Sequence, residues 1–240
     1  MDRIVLLGRH HTELGEAALD RVGPVAVGLT RGRHPKGYPY TEPNEDAAMA
    51  AASDRLVLMA VADGHHGTHA SHLAIEAIYD AAPDLVHLPA HEAVASALAA
   101  AASSLAASPT SASSAPATTL TVVAAAGEEG AVLGWGDSAA AVFHGRGGRS
   151  LTVPEPVFAC MGEKGPDAGD PVRFRLRPGD IVIVATDGLT DFVVRPWPHT
   201  LAQIFQSLTD PGAVVEAALA AAGAGGGGDN LAICAFCMTS

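Results

Sequence analysis

Short runs of near-continuous or alternating apolar residues recur along the chain, most of them four to eight residues long and bounded by Gly, Pro or Asp. They cover residues 3–7, 24–29, 55–62, 118–125, 130–134, 139–144, 172–176, 181–185 and 231–236. Runs of that length with those boundaries predict β-strands. Two longer stretches, 69–82 and 92–107, carry apolar side chains at helical spacing, with Pro83 and Pro89 punctuating the gap between them. A second helical pair, 201–208 and 213–222, precedes the glycine run 225–228. Strands, a helix pair, more strands, another helix pair and a last strand form an α+β order, which predicts antiparallel sheets with helices outside them. The Ser, Ala and Pro tract 103–116 reads as a helix end fraying into a surface loop. The stretch 223–228 lacks the Lys-Ser/Thr of a phosphate loop and opens no helix, so it reads as a flexible connector.

Composition narrows the classes. At 48% hydrophobic and 17% charged, the 240 residues can bury a core, and low aromatic content makes that core one of small side chains, alanine above all. The formal net charge of −12 argues against nucleic acid and anionic membranes as partners, because both are gripped mainly through Lys and Arg. No apolar stretch reaches the roughly 20 residues of a membrane span, and Met1-Asp2-Arg3-Ile4 does not begin like a signal peptide. Cys160, Cys234 and Cys237 are an odd set that suits a reducing compartment. The last two, although spaced C-x-x-C, fall in an apolar run and read as packed thiols of a terminal strand. The expectation is a cytoplasmic monomer.

The carboxylates carry the chemistry. Asp63, Asp187 and Asp229 each stand where an apolar strand meets a small polar turn; Glu45 and Asp46 lie in a turn, Asp137 sits in Gly136-Asp137-Ser138, and Asp191 follows Asp187 by four residues. One Asp-Gly is a turn signal and nothing more. Several at strand ends would be spaced by the sheets themselves, and carboxylates brought together repel unless cations neutralise them. An all-oxygen set selects hard ions, Mg²⁺ or Mn²⁺, over zinc. His66, His69 and His72 fall at spacings that could share a helix face, yet with no H-E-x-x-H pattern and no nearby cysteine they read as helix-start or partly exposed histidines.

Asn44-Glu45-Asp46-Ala47, Ala62-Asp63-Gly64-His65-His66-Gly67, Gly136-Asp137-Ser138, Ala185-Thr186-Asp187-Gly188-Leu189-Thr190-Asp191 and Asp229-Asn230 together resemble the ordered motifs of the metal-dependent type 2C protein phosphatases, from about residue 24 to the end of the chain. The resemblance implies a four-layer α-β-β-α sandwich, with two central antiparallel sheets flanked by helix pairs, and one catalytic domain over residues 1–240. It implies that Asp63 bridges two Mg²⁺ or Mn²⁺ ions with the Gly64 carbonyl completing one shell. Asp187 and Asp229 would hold the first ion, and Glu45 and Asp46 would bind or position the waters of the second. Asp137 and Asp191 match positions that hold a third, weaker ion in bacterial members, together with Asp187. The implied reaction is one-step hydrolysis of phosphoserine or phosphothreonine by a metal-activated water, on phosphorylated proteins that include a Ser/Thr kinase or its targets.

His65 matches a histidine that protonates the leaving alkoxide in part of the family; a hydrogen bond to a metal ligand is the alternative role. The family's phosphate-gripping arginine falls here on Thr41. Within the inserted-looking stretch 31–40, Arg33 is the candidate replacement, with Lys36 a poorer match to two phosphate oxygens; a basic surface loop without a catalytic part is the other reading. The flap that bacterial members carry after Gly-Asp-Ser is short. The rivals to a protein phosphatase are a phosphatase-shaped binding module and a small phosphomonoester phosphatase.

Overall fold

A computed structural model describes residues 1–35, 43–108, 117–152 and 169–239. In chain order its strands and helices are β1 (Asp2–Leu7), β2 (Ala17–Val22), β3 (Val25–Thr30), β4 (Ala47–Ala52), β5 (Val57–Ala62), β6 (Gly64–His65), α1 (His69–Leu85), α2 (Ala90–Ala107), β7 (Ala117–Thr118), β8 (Leu120–Ala126), β9 (Glu129–Trp135), β10 (Ala139–His144), β11 (Gly147–Ser150), β12 (Val172–Arg175), β13 (Ile181–Ala185), α3 (Asp187–Thr190), α4 (Trp197–Phe205), α5 (Pro211–Ala224) and β14 (Leu231–Cys237).

Two six-stranded sheets lie face to face, with strand orders β1-β4-β5-β8-β9-β12 and β11-β10-β13-β14-β3-β2, every pairing antiparallel. Period-two alternation sends each central strand's side chains into two different cores. In β4, Met49 and Ala51 face α1 and α2, while Ala48 and Ala50 face the opposite sheet. In β14, Ile233 and Ala235 face α4 and α5, while Ala232 and Cys234 face inward. The layers are therefore helix pair, sheet, sheet, helix pair, the α+β sandwich expected from the order of elements. Phe143 of β10 meets Phe205 of α4 edge to face, centroids 5.2 Å apart, which fastens one helix to its sheet.

All nine predicted strands are present, and five more segments join the ladders. β4 was hidden because Ala-Ala-Met-Ala-Ala-Ala is buried on both faces, so it shows no alternation, and alanine favours helices when nothing else decides. β2 and β11 are exposed edge strands with little apolar pattern, and β6 pairs with β7 over only two residues each. Pro83 does not end the first helix. It lies inside the last turn of α1, and the Tyr79 carbonyl that its missing N–H leaves open accepts a hydrogen bond from the Arg3 guanidinium, which also lies 4.3 Å from the Tyr79 ring centroid. The second pair begins earlier than its periodicity suggests, at Trp197 and Pro211.

The glycine run is a closely packed turn, not a loose connector. The Gly227 carbonyl accepts from the Arg33 amide at 2.8 Å, and a Cβ on Gly225 would fall 1.6 Å from the Phe192 oxygen. Cys234 and Cys237 are both buried in β14; their spacing of three puts them on opposite faces, so they share no ligand. Burial pushes both thiols up, Cys237 to about 11. Cys160, the flap stretch 153–168 and the tail of the Ser-Ala-Pro tract, 109–116, lie outside the described residues.

Candidate metal centre

The two sheets deliver carboxylates to the same end of the sandwich. Asp63 follows β5 of one sheet, Asp187 follows β13 of the other, and Asp137 occupies the turn between β9 and β10. One carboxylate oxygen from each of these three lies within 4.8 Å of the others. Strand ends anchored in a buried ladder hold such groups far more precisely than a loop would.

Hydrogen bonds from neighbouring side chains fix this end of the fold. The Asp63 amide donates to Thr119 Oγ1 at 3.1 Å, and its carbonyl accepts from the Thr119 amide at 2.9 Å and Thr118 Oγ1 at 2.8 Å. Thr119 Oγ1 in turn shares a 2.8 Å hydrogen bond with Ser138 Oγ, tying the Asp63 strand end to the Asp137 turn. Buried Asn230 joins three segments: its Nδ2 donates to the carbonyls of Arg31 (2.9 Å) and Pro43 (3.1 Å), and its Oδ1 accepts from the Glu45 amide (2.9 Å). Thr186 Oγ1 donates to Asp46 Oδ2 at 2.7 Å while accepting from the Ala232 amide at 2.9 Å. Gly188 opens the turn after Asp187 against the Asn230 carbonyl so closely that a Cβ there would lie 1.9 Å from that oxygen.

Crowding shows in the protonation. Burial, then the charges of Asp63, Asp137, Asp229 and Asp191, push the Asp187 carboxyl up to about 8. Burial also raises Asp137; its own amide and His65 pull it back, and Asp191 and Asp229 add to the rise. Five aspartates thus act on one another, a charge density that divalent cations relieve. The donors are all oxygen, which fits Mg²⁺ or Mn²⁺ and not zinc.

Of the residues singled out in the sequence, Asp63, Asp137 and Asp187 meet directly, and Asp191 and Asp229 lie within electrostatic reach. Glu45 and Asp46 are buried at the head of β4. Glu45 Oε1 accepts from the Gly67 amide at 2.6 Å, so it braces the turn that follows Gly64 and His65. His65 lies within electrostatic reach of Asp137, and its buried Nε2 has no hydrogen-bond partner among the described residues. Asp191 is more exposed and pairs with Arg195 at 3.1 Å. Arg33 crosses the glycine turn at the C-terminal end of α5 and shares a small cavity of about 90 Å³ with Gly188 and Asp229. Thr41 and Lys36 lie outside the described residues. Among the described residues no histidine joins a converging group of three; His69 Nε2 instead bonds Ser108 Oγ at 2.8 Å. The clamps made by Thr119, Ser138, Thr186 and Asn230 were not read from the sequence, where the one available signal is that Ser138, Thr186 and Asn230 adjoin Asp137, Asp187 and Asp229; Thr119 adjoins no acidic residue.

The sequence matches the family described as Protein phosphatase 2C over residues 39–222. No curated protein matches it significantly. Among solved structures it is similar to the Mycobacterium tuberculosis serine/threonine phosphatase PstP/Ppp, with 20% identity and a TM-score of 0.71 over 90% of this chain and 98% of that one. It is also similar to the Mycobacterium smegmatis PPM Ser-Thr phosphatase MsPP in complex with cacodylate, at 22% identity and TM-score 0.68 over 89% and 97% of the two chains. A third is the catalytic domain of the serine threonine protein phosphatase PstP in complex with two manganese ions, at 21% identity and TM-score 0.69 over 94% of this chain and all of that one. The match spans most of the chain and includes all but one of the acidic motifs, so the chain belongs to the protein phosphatase 2C family and is a protein serine/threonine phosphatase.

Proposed function

We propose that residues 1–240 act as one catalytic domain that hydrolyses phosphoserine and phosphothreonine in proteins at a binuclear Mg²⁺ or Mn²⁺ centre, with a third, weaker ion beside it. The convergence of Asp63, Asp137 and Asp187 at the meeting of the two sheets carries this reading. Asp63 would hold both principal ions with the Gly64 carbonyl, Asp187 and Asp229 the first, Glu45 and Asp46 the second, and Asp137 and Asp191 the third. When bound, such ions supply an activated water and offset charge on the phosphoryl oxygens.

The chain's own residues do the rest. Thr186 orients the Asp46 carboxylate through its hydroxyl. Asn230 holds the Glu45 backbone in place, and Glu45 braces the Gly67 turn. His65, within electrostatic reach of Asp137 and with no partner for its Nε2 among the described residues, donates a proton to the serine or threonine oxygen as it leaves. Arg33 stands on the Asp229 side, where its planar fork takes two phosphate oxygens. The substrates are phosphorylated proteins, a Ser/Thr kinase or its targets, met by a monomer in the cytoplasm. No helix among the described residues is long and apolar enough to cross a membrane. A manganese titration of phosphothreonine-peptide hydrolysis, with and without chelator and beside a small aryl phosphate, tests the proposal. Metal-dependent turnover that favours the peptide is expected; metal-independent turnover, or turnover of the aryl phosphate alone, would overturn it.

A further inference from the structure

One groove leads away from the acidic centre. It is about 680 Å³, far larger than the cavity beside Arg33, and its inner wall is made by Asp137 and Asp187 themselves. Its outer wall is different in kind: Arg195, Pro196, Trp197 and Pro198, the stretch that opens α4. Arg195 is the one cation among the groove's described lining residues. Its guanidinium is tethered to Asp191 at 3.1 Å but is 76% exposed, so most of its donors face the opening. Beside it lie exposed Pro196 and half-buried Trp197 and Pro198, the tryptophan packed in part against the core under α4 and α5, on a chain otherwise poor in aromatic residues.

Resting on the dephosphorylation reading above, we infer that this groove is the substrate-peptide channel and that Arg195 and Trp197 select the residues flanking the phosphorylated one. The preferred occupant is an extended segment carrying an apolar side chain and an acidic side chain close to the phosphoresidue. Three features support that occupant. The groove is continuous with the carboxylates that would hold the ions, so a chain whose phosphate sits there must run along it. The groove, at about 680 Å³, is too large to be filled by a phosphoryl group alone. Arg195, the exposed cation among the groove's described lining residues on a molecule of net charge −12, gives an acidic side chain a favourable place to bind, and the tryptophan face next to it takes an apolar neighbour. Arg33 and Arg195 then divide the work, one gripping phosphate and the other reading sequence.

The test is a series of phosphothreonine peptides in which one Leu and one Glu are moved through the three positions on either side of the phosphothreonine, assayed with manganese beside p-nitrophenyl phosphate. At least one arrangement should exceed a glycine-flanked peptide by about tenfold in kcat/KM. Trp197→Ala should remove the gain from Leu, and Arg195→Ala the gain from Glu, both through KM. Arg33→Ala, by contrast, should raise KM for every substrate, the aryl phosphate included. Equal selectivity in wild type and both groove variants, or no positional preference at all, would overturn the inference while leaving dephosphorylation standing. Absence of turnover on every substrate would instead overturn the functional reading. Anisotropy of the labelled best-bound peptide then decides the groove alone: binding lost in Trp197→Ala upholds it, and binding equal to wild type refutes it.

Discussion

At the residue scale, the acidic positions were legible because each aspartate stands where an apolar run stops, a place that a sheet makes rigid. Their supports were not, since a Thr or Asn beside an Asp has many ordinary reasons to be there and only the fold shows where its donors point. Thr186 is the clearest of these: one hydroxyl joins Asp46 to the backbone of Ala232. Thr186→Val should leave both partners short of a hydrogen bond, costing about 1–3 kcal/mol in urea unfolding and weakening manganese binding; Thr186→Ser should restore most of both. Equal stability in the Val variant would show that the bond does not orient Asp46. Protonation gives a second expectation. In the ion-free fold Asp187 holds its proton to about pH 8, against an ordinary value of 3.8. The folded chain therefore binds a proton that the unfolded chain has released, so this contribution is fully present below about pH 4 and is lost as the pH rises towards about 8. The Tm of chelated protein should fall across that window, and manganese or Asp187→Asn should flatten the fall. A chelated protein with a pH-independent Tm would contradict the crowding.

At the element scale, strands rich in β-branched residues with a turn at each end announced themselves, as β13 did over the residues expected of it, 181–185, although both its faces are buried. Elements whose signal was cancelled by their surroundings did not. β4 is buried on both faces and built of alanine and one methionine, so it shows neither alternation nor a β-branched run, and α1 continues past Pro83 because Arg3, distant in sequence, satisfies the carbonyl that the proline leaves open. The short helix α3 belongs to the same group: it is too brief for a periodicity, yet it starts with Asp187 and depends on backbone-to-backbone contact with β14's lead-in. Gly188→Ala should push these two segments apart, since the nearest oxygen would lie 1.9 Å from the new methyl group. The expected result is a lower Tm together with weakened manganese affinity, read by thermal unfolding and by metal titration. A variant with wild-type values in both would mean that the segments have room to separate without moving Asp187.

At the scale of the whole molecule, the layering follows from the order of its elements and from a supply of alanine that lets sheets and helices approach closely. The sandwich then does what neither sheet could do alone: it sets the end of β5 against the end of β13, so that carboxylates from opposite sheets converge. The substrate groove could not be foreseen, because it brings the Asp137 turn against the distant stretch from Asp187 to Pro198, and its outer wall carries no motif. Ions bound at the carboxylates would stabilise the fold by mass action, crosslinking its two sheets at the site of greatest charge repulsion. The most direct test of this account is the manganese-dependent kcat on a phosphothreonine peptide for Asp63→Ala and Asp187→Ala, each confirmed to be folded by circular dichroism. Metal-assisted attack supplies several kcal/mol of barrier lowering, so each variant should lose at least about a hundredfold in rate; either one retaining more than about a tenth of wild-type turnover would contradict it.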